Sequence, residues 1–204
     1  SFHGTKKSPS AGGTILLMML SVVVPSHRQR ATLCAELMRL HAYLSTVTRD
    51  HEIIVVIDGN EDGTKEELLQ HQWFPELHAV CFQKNQGKGH ALRHGLGLAA
   101  GDLIVFLDAG GDIDYTELPR FLAAQTLYDA DIVIGSKRHS LSDVSYPFLR
   151  RIYSRTYQLL NRALFRLRIR DTQVGMKLFR HAVLEAILPR LLEKAFAFDL
   201  ELLV

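Results

Sequence analysis

The sequence lacks the features that mark disulfide-rich, membrane-spanning and nucleic-acid-binding proteins. Its two cysteines, Cys34 and Cys81, lie far apart and form no metal-binding pattern, so we expect both to be packing residues in a reducing compartment. The longest apolar run, residues 15–24, is shorter than the roughly 20 residues that cross a bilayer. The formal net charge of +2 is too small to indicate a nucleic-acid partner.

The composition that is present predicts one globular domain. Apolar residues make up 47% of the 204 residues, which is enough for a sizeable core. Residues 1–13 are rich in Ser, Gly and Lys and are expected to form a disordered tail, which leaves residues 14–204 as a single domain. The apolar ending at 196–204 stops without a polar tail, so we expect the domain to be truncated at the C-terminus.

Strand-like and helix-like segments alternate along the domain. Short apolar runs rich in β-branched residues predict buried strands. They span residues 15–24, 52–57, 79–83, 103–107 and 131–134. Apolar residues at helical spacing follow, as at 28–44 and 115–128. This alternation is typical of an α/β protein with a doubly wound, mostly parallel sheet and flanking helices.

Acidic residues follow the strand at 103–107 immediately. Carboxylates at the carboxyl end of a buried parallel strand lie where open α/β sheets bind ligands. Hard divalent cations such as Mg²⁺ prefer oxygen ligands and are often shared with substrate phosphates. We therefore predict a metal–diphosphate site at Asp108 and Asp112. The alternative is a solvated acidic loop.

Two other loops carry weaker signals for a phosphate or nucleotide ligand. Asp58, at the tip of the strand at 52–57, could accept hydrogen bonds from a nucleobase or a ribose. Asp62 and Thr64 are better interpreted as turn and helix-cap residues. The Gly-Lys-Gly sequence around Lys88 opens a helix and could present N–H groups and an ammonium to an anion, although it lacks the spacing of a Walker loop.

Basic residues concentrate in the second half of the chain. Lys137 and Arg138 follow the strand at 131–134, and arginines recur among aromatic and aliphatic residues throughout 148–170. A basic amphipathic helix of this kind often lies on an anionic membrane surface. The alternative is a core-packed helix with a solvated arginine face.

A set of ordered sequence blocks resembles the inverting glycosyltransferases of family 2. The blocks are S-V-V-V-P-S at 21–26, I-I-V-V-I-D-G-N-E-D-G-T at 53–64, N-Q-G-K-G-H-A-L-R-H-G at 85–95, G-D-L-I-V-F-L-D-A at 101–109, G-S-K-R at 135–138, I-R-D-T-Q-V-G-M-K-L-F-R at 169–180 and F-D-L-E-L-L at 198–203. Within the family they are most similar to the polyprenyl-phosphate (dolichyl-phosphate) sugar synthases. The last two blocks resemble the glucose synthases more than the mannose synthases. The resemblance implies a Rossmann-like fold of the GT-A type.

The resemblance also implies a role for each matching residue. Donor-nucleotide contacts fall on Pro25, Asp58, Lys88, Asp108 and Ala109, and the metal ligands are Asp108 and Asp112. Contacts to the acceptor phosphate fall on Lys137, Arg138, Arg150, Ser154 and Gln173. The catalytic set is Asp108, Lys137, Arg150 and Lys177.

Three positions depart from the family pattern. The usual Pro-Thr-Tyr-Asn-Glu is P-S-H-R-Q at 25–29, so the acid expected at its end is missing. The usual Asp-Asp-Gly-Ser keeps Asp58 but has Ile57 before it. The middle acid of the metal motif is Gly110, and we expect Asp112 to compensate for it.

The function implied is metal-assisted, inverting transfer of a hexose to a polyprenyl phosphate. The expected donor is UDP-glucose, with GDP-mannose second, and the expected cofactor is Mg²⁺ or Mn²⁺. The protein would be cytoplasmic and peripheral on the membrane surface, with no nucleic-acid partner. One alternative is transfer to a hydroxyl acceptor, with Asp199 or Glu201 as the general base. A nucleotidyltransferase and a non-catalytic nucleotide-sugar-binding protein are the others.

Overall fold

The computed structural model describes residues 18–107, 115–135, 176–192 and 198–202. The strands in these ranges are β1 (Leu20–Ser26), β2 (His51–Asp58), β3 (Leu77–Phe82), β4 (Leu103–Leu107), β5 (Ile132–Ile134) and β6 (Met176–Arg180). The helices are α1 (Leu33–Val47), α2 (Thr64–Leu69), α3 (Lys88–Leu98), α4 (Leu118–Tyr128), α5 (His181–Ile187) and α6 (Phe198–Glu201). Short 3₁₀ turns span Tyr115–Glu117 and Leu188–Arg190.

The strands form one six-stranded sheet in the order β3-β2-β1-β4-β6-β5. β1 pairs in parallel with β2 and β4, and β2 pairs in parallel with β3. β6 runs antiparallel between β4 and β5. The sheet is therefore mixed but mostly parallel, and the carboxyl ends of β1 to β4 share one edge. This confirms the doubly wound α/β fold predicted from the sequence.

Alternating side chains of the central strands fill a core on each face of the sheet. Val22 and Val24 face the leucines of α1, which recur at helical spacing as Leu33, Leu37, Leu40 and Leu44. On the opposite face, Val23 packs with Ala91, Leu92 and Leu96 of α3. Because both faces are covered, β1, β2 and β4 are buried along their whole length, as their apolar sequences predict.

Gly95 allows α3 to lie close to the sheet. A Cβ atom at this position would stand 2.5 Å from Val23 Cγ1 and 3.0 Å from Val56 Cγ2. Both valines are fully buried in the two central strands β1 and β2. This close approach holds the first turn of α3 near the carboxyl edge of the sheet.

The element boundaries differ modestly from those expected. β1 begins at Leu20 and extends to Ser26, α1 begins at Leu33 rather than at Arg28, and β3 runs from Leu77 to Phe82. The strand β6 was not predicted. Both cysteines are free, half-buried and packed against the core, in line with the packing role expected for them. Within the described ranges, the structure has no helix of the length and apolarity that a membrane span needs.

Candidate functional site

The candidate site lies at the carboxyl edge of the sheet, where β1 and β4 are parallel neighbours. The strand order reverses there, because β2 and β3 lie on one side and β6 and β5 on the other. Such a switch point leaves a crevice at the strand ends, which is the usual ligand site of open α/β sheets. Pro25 lies at this crevice, since the pairing of β1 with β4 ends at Val23 and its pairing with β2 continues to Ser26.

Asp58 joins the end of β2 to the loop that precedes α3. Its carboxylate oxygens accept the backbone N–H groups of Gln86, at 2.7 Å, and Gly87, at 2.9 Å. The side chain is only 3% exposed. The positive end of the α3 dipole, at Gly87 and the half-buried Lys88, is therefore already faced by a carboxylate of the protein itself. Contacts of Asp58 and Lys88 with a donor nucleotide stay predictions.

Gly59 brings the same two loops into direct contact. Its φ angle is +88°, in the left-handed region that glycine adopts without strain. A Cβ atom here would also lie 2.8 Å from the backbone nitrogen of Asn85. The two loops can touch at this point because position 59 has no side chain.

His27 and Asn85 connect the β1 loop to these two loops. His27 Nδ1 lies 2.7 Å from the backbone oxygen of Asp58. The Asn85 amide nitrogen lies 3.2 Å from Nδ1 and 3.1 Å from Nε2 of the same ring. The Asn85 amide oxygen accepts the N–H of Gly87 at 2.9 Å. We call His27, Asp58 and Asn85 the loop junction.

Further contacts hold the β1 loop against the β2 loop. Arg28 adopts φ +54°, which is unusual for a residue with a side chain, and its guanidinium pairs with Glu61 at 2.9 Å. The N–H of Arg30 donates to Asp62 at 3.0 Å. Burial raises the pKa of the Asp62 carboxyl, but hydrogen bonds from Thr64 and from the Arg30 backbone outweigh it, so the pKa lies below its ordinary value. Asp62 and Thr64 thus form the turn at the start of α2 that the sequence predicts.

Lys177 lies in the interior of the sheet, beside β4. It is fully buried on β6, where it pairs with Phe106 of β4 and Ile134 of β5. Its ammonium nitrogen stands 4.6 Å from the centroid of the Phe106 ring, in cation–π geometry. Phe106 is two residues before Asp108 in the sequence. The structure therefore positions Lys177 near the end of the strand that leads into the predicted metal motif.

The remaining predicted site residues lie outside the described ranges. They are Asp108, Ala109, Asp112, Lys137, Arg138, Arg150, Ser154 and Gln173, together with the basic segment 148–170. Their predicted roles stay predictions. Of the two alternative bases, the Asp199 side chain is also outside the description, and Glu201 accepts the N–H of Leu192 at 2.9 Å.

The metal prediction is compatible with the chemistry of its donor set. Among the residues that the structure describes, no group of three or more His, Cys, Asp or Glu side chains could hold an ion. The predicted ligands, Asp108 and Asp112, supply carboxylate oxygens, which are the donors that Mg²⁺ and Mn²⁺ favour. Asp108 directly follows Leu107, the last residue of β4, so this donor set begins at the switch point.

Comparison with known proteins identifies the class to which this fold and site belong. The best-superimposing fold among the structures considered is that of glucosyl-3-phosphoglycerate synthase from Mycobacterium tuberculosis in complex with Mn²⁺, UDP and phosphoglyceric acid. The TM-score is 0.62 at 18% sequence identity, over 88% of this chain and 63% of that one. The fold is thus of the GT-A type. Residues 21–188 match the profile of glycosyl transferase family 2, and the chain belongs to that family.

Two relatives share higher sequence identity with this chain. Dolichyl-phosphate beta-glucosyltransferase of Drosophila melanogaster is 32% identical over 100% of this chain and 65% of its own length. The protein of the same name from Dictyostelium discoideum is 28% identical over 90% of this chain and 61% of its own length. The chain therefore spans somewhat less than two thirds of the relatives it matches. The predicted family resemblance is confirmed.

Proposed function

We propose that this protein transfers glucose from UDP-glucose to a dolichyl-type polyprenyl phosphate, with inversion at the anomeric carbon. The observation that carries the proposal is the 32% identity, over the whole chain, to a dolichyl-phosphate beta-glucosyltransferase. The loop junction supports the donor half, because it positions polar groups at the switch point where such sheets bind ligands. GDP-mannose is the second candidate donor. Residues 14–204 would form the catalytic domain.

The acceptor chemistry accounts for the predicted cations. A phosphate monoester is already an anion at neutral pH, so the attacking oxygen needs no strong general base. It needs positioning and charge balance, which Lys137, Arg150 and their neighbours would supply by charged hydrogen bonds. A divalent ion held by Asp108 and Asp112 would neutralise charge on the leaving diphosphate.

The location follows from the acceptor. A polyprenyl phosphate is a membrane lipid, so its phosphate lies at the membrane surface. The basic segment 148–170 would bring the protein to an anionic surface on the cytoplasmic side, as a peripheral protein. Salt should weaken this association, because attraction between exposed charges is screened.

The test is transfer of labelled sugar into an organic-extractable lipid. The protein is incubated with dolichyl phosphate, Mn²⁺ and either UDP-[¹⁴C]glucose or GDP-[¹⁴C]mannose, with and without a chelator. We expect labelled lipid from UDP-glucose only, and none after chelation. Label from GDP-mannose alone would reverse the donor assignment. Undiminished transfer under chelation would contradict the metal role of Asp108 and Asp112.

A further inference from the structure

His27 occupies an exposed position at the switch point, directly after β1. Its Nδ1 atom lies 2.7 Å from the backbone oxygen of Asp58. A carbonyl oxygen can only accept a hydrogen bond, so Nδ1 must carry the proton. In the neutral ring this leaves Nε2 unprotonated, with its lone pair in the plane of the ring. The contact with Asp58 therefore fixes both the tautomer and the direction of the lone pair.

The Asn85 amide does not occupy that lone pair. The orientation of the amide is set by its oxygen, which accepts the N–H of Gly87 at 2.9 Å and so turns the amide nitrogen toward His27. That nitrogen is nearly equidistant from the two ring nitrogens, at 3.2 and 3.1 Å. An atom so placed in the ring plane would collide with Cε1, so it stands over the ring face. Nε2 keeps its in-plane acceptor site.

The carboxylates of the neighbouring loops are already engaged. Asp58 accepts two backbone N–H groups, Glu61 pairs with Arg28, and Asp62 accepts hydrogen bonds from Thr64 and the Arg30 backbone. These contacts fix the loops and leave no unpaired carboxylate among the described residues 25–32 and 58–64.

The neutral side-chain acceptors nearby are used as well. Gln29 Oε1 accepts the hydroxyl of Ser26 at 2.9 Å, and Asn60 Oδ1 accepts the N–H of Lys65 at 2.8 Å. Ile57, at the tip of β2, offers no polar atom. Within these described loops, Nε2 of His27 is thus the side-chain acceptor whose in-plane site is left for a ligand.

We propose that His27 Nε2 accepts a hydrogen bond from the imide N3–H of uracil in the donor nucleotide, and so determines which base is bound. The inference rests on the proposed use of UDP-glucose and adds the residue that recognises its base. A neutral imidazole is required, because an imidazolium would present a donor to the donor group of the base.

The test compares nucleotides with and without the imide proton. Calorimetric titrations of UDP and N3-methyl-UDP would be made on the wild-type protein and on His27→Asn, at mildly alkaline pH. Asparagine can still donate to the Asp58 backbone oxygen but has no atom in the place of Nε2. His71→Asn is the matched control, because His71 is also exposed and its Nδ1 contacts a backbone oxygen, that of Glu67, at the opposite edge of the sheet.

We expect His27→Asn to weaken UDP binding about fivefold, as the loss of one net hydrogen bond predicts, and to leave N3-methyl-UDP binding unchanged. His71→Asn should change neither affinity, and the melting temperature of His27→Asn should match the wild type. Equal weakening of both nucleotides, or of neither, would overturn the role of Nε2. A larger loss for GDP than for UDP would overturn the uracil assignment. A wild-type protein that binds no nucleotide would overturn the proposed function, and the inference with it.

Discussion

Replacing Asp58 with asparagine tests how the loop junction is held together. The substitution keeps the shape of the side chain and removes its charge. Asp58 is 3% exposed, and its oxygens accept the N–H groups of Gln86 and Gly87. An asparagine in the same position has one oxygen that can accept and one NH₂ group that must face an N–H donor.

The expected destabilisation is about 3 kcal/mol. A hydrogen bond to a charged group contributes about 1.5–3 kcal/mol and a neutral one about 1 kcal/mol. One bond of Asp58 would become neutral, at a loss of about 1 kcal/mol, and the other would disappear, at a loss of about 2 kcal/mol. A domain of this size is stable by about 10 kcal/mol, so the variant should still fold.

Urea unfolding followed by circular dichroism measures this loss. Asp102→Asn is the matched control, because the exposed Asp102 accepts one backbone N–H, that of Met19, at the opposite edge of the sheet. We expect the control to lose about 0.5 kcal/mol or less. A loss below about 1 kcal/mol for Asp58→Asn, equal to that of the control, would refute the view that this carboxylate holds the loop before α3.

Other predictions concern packing, pH and the acceptor. Gly95→Ala should destabilise the protein by about 1–3 kcal/mol, because the new Cβ would stand 2.5 Å from Val23 Cγ1. Burial and the neighbouring His41 lower the pKa of His51 below its ordinary 6.5. The unfolded chain then protonates first as the pH falls, so stability should decrease below about pH 6.5. Arg150→Ala should raise KM for the lipid phosphate about tenfold and leave donor affinity unchanged.

Each of these predictions has its own control. Gly97→Ala, on the same helix with open space around its Cβ position, should not destabilise. His51→Gln should flatten the dependence of the urea midpoint on pH, and an unchanged slope would mean that another group is responsible. Equal losses of donor and acceptor affinity in Arg150→Ala would indicate a structural role for this arginine rather than a contact with the lipid phosphate.

The parallel part of the fold could be predicted from the sequence because its signals are local. The runs at 52–57 and 103–107 are rich in β-branched residues, and burial on both faces makes them uniformly apolar. The leucines of α1 recur at the spacing of one helix face. The strand β6 escaped prediction because Lys177 interrupts its apolar pattern, and only the Phe106 ring beside it in the folded sheet accounts for a buried lysine there.

The loop junction could not be predicted, because its contacts join residues distant in the sequence. His27 meets the Asp58 backbone 31 residues later, and Asn85 lies 58 residues from His27. No periodicity or spacing relates these positions. The sequence did predict Asp58 as a functional residue from its place at a strand tip, but the N–H groups that it accepts became evident only from the folded loop before α3.

The most direct test of the proposed activity compares dolichyl phosphate with dolichol as the acceptor of [¹⁴C]glucose from UDP-glucose in the presence of Mn²⁺. The two lipids differ only in the phosphate, so the comparison separates transfer to a phosphate from transfer to a hydroxyl. We predict labelled lipid with dolichyl phosphate alone, and none from the Asp108→Asn variant. Labelling of dolichol, or the absence of labelled lipid with either acceptor, would contradict the proposal.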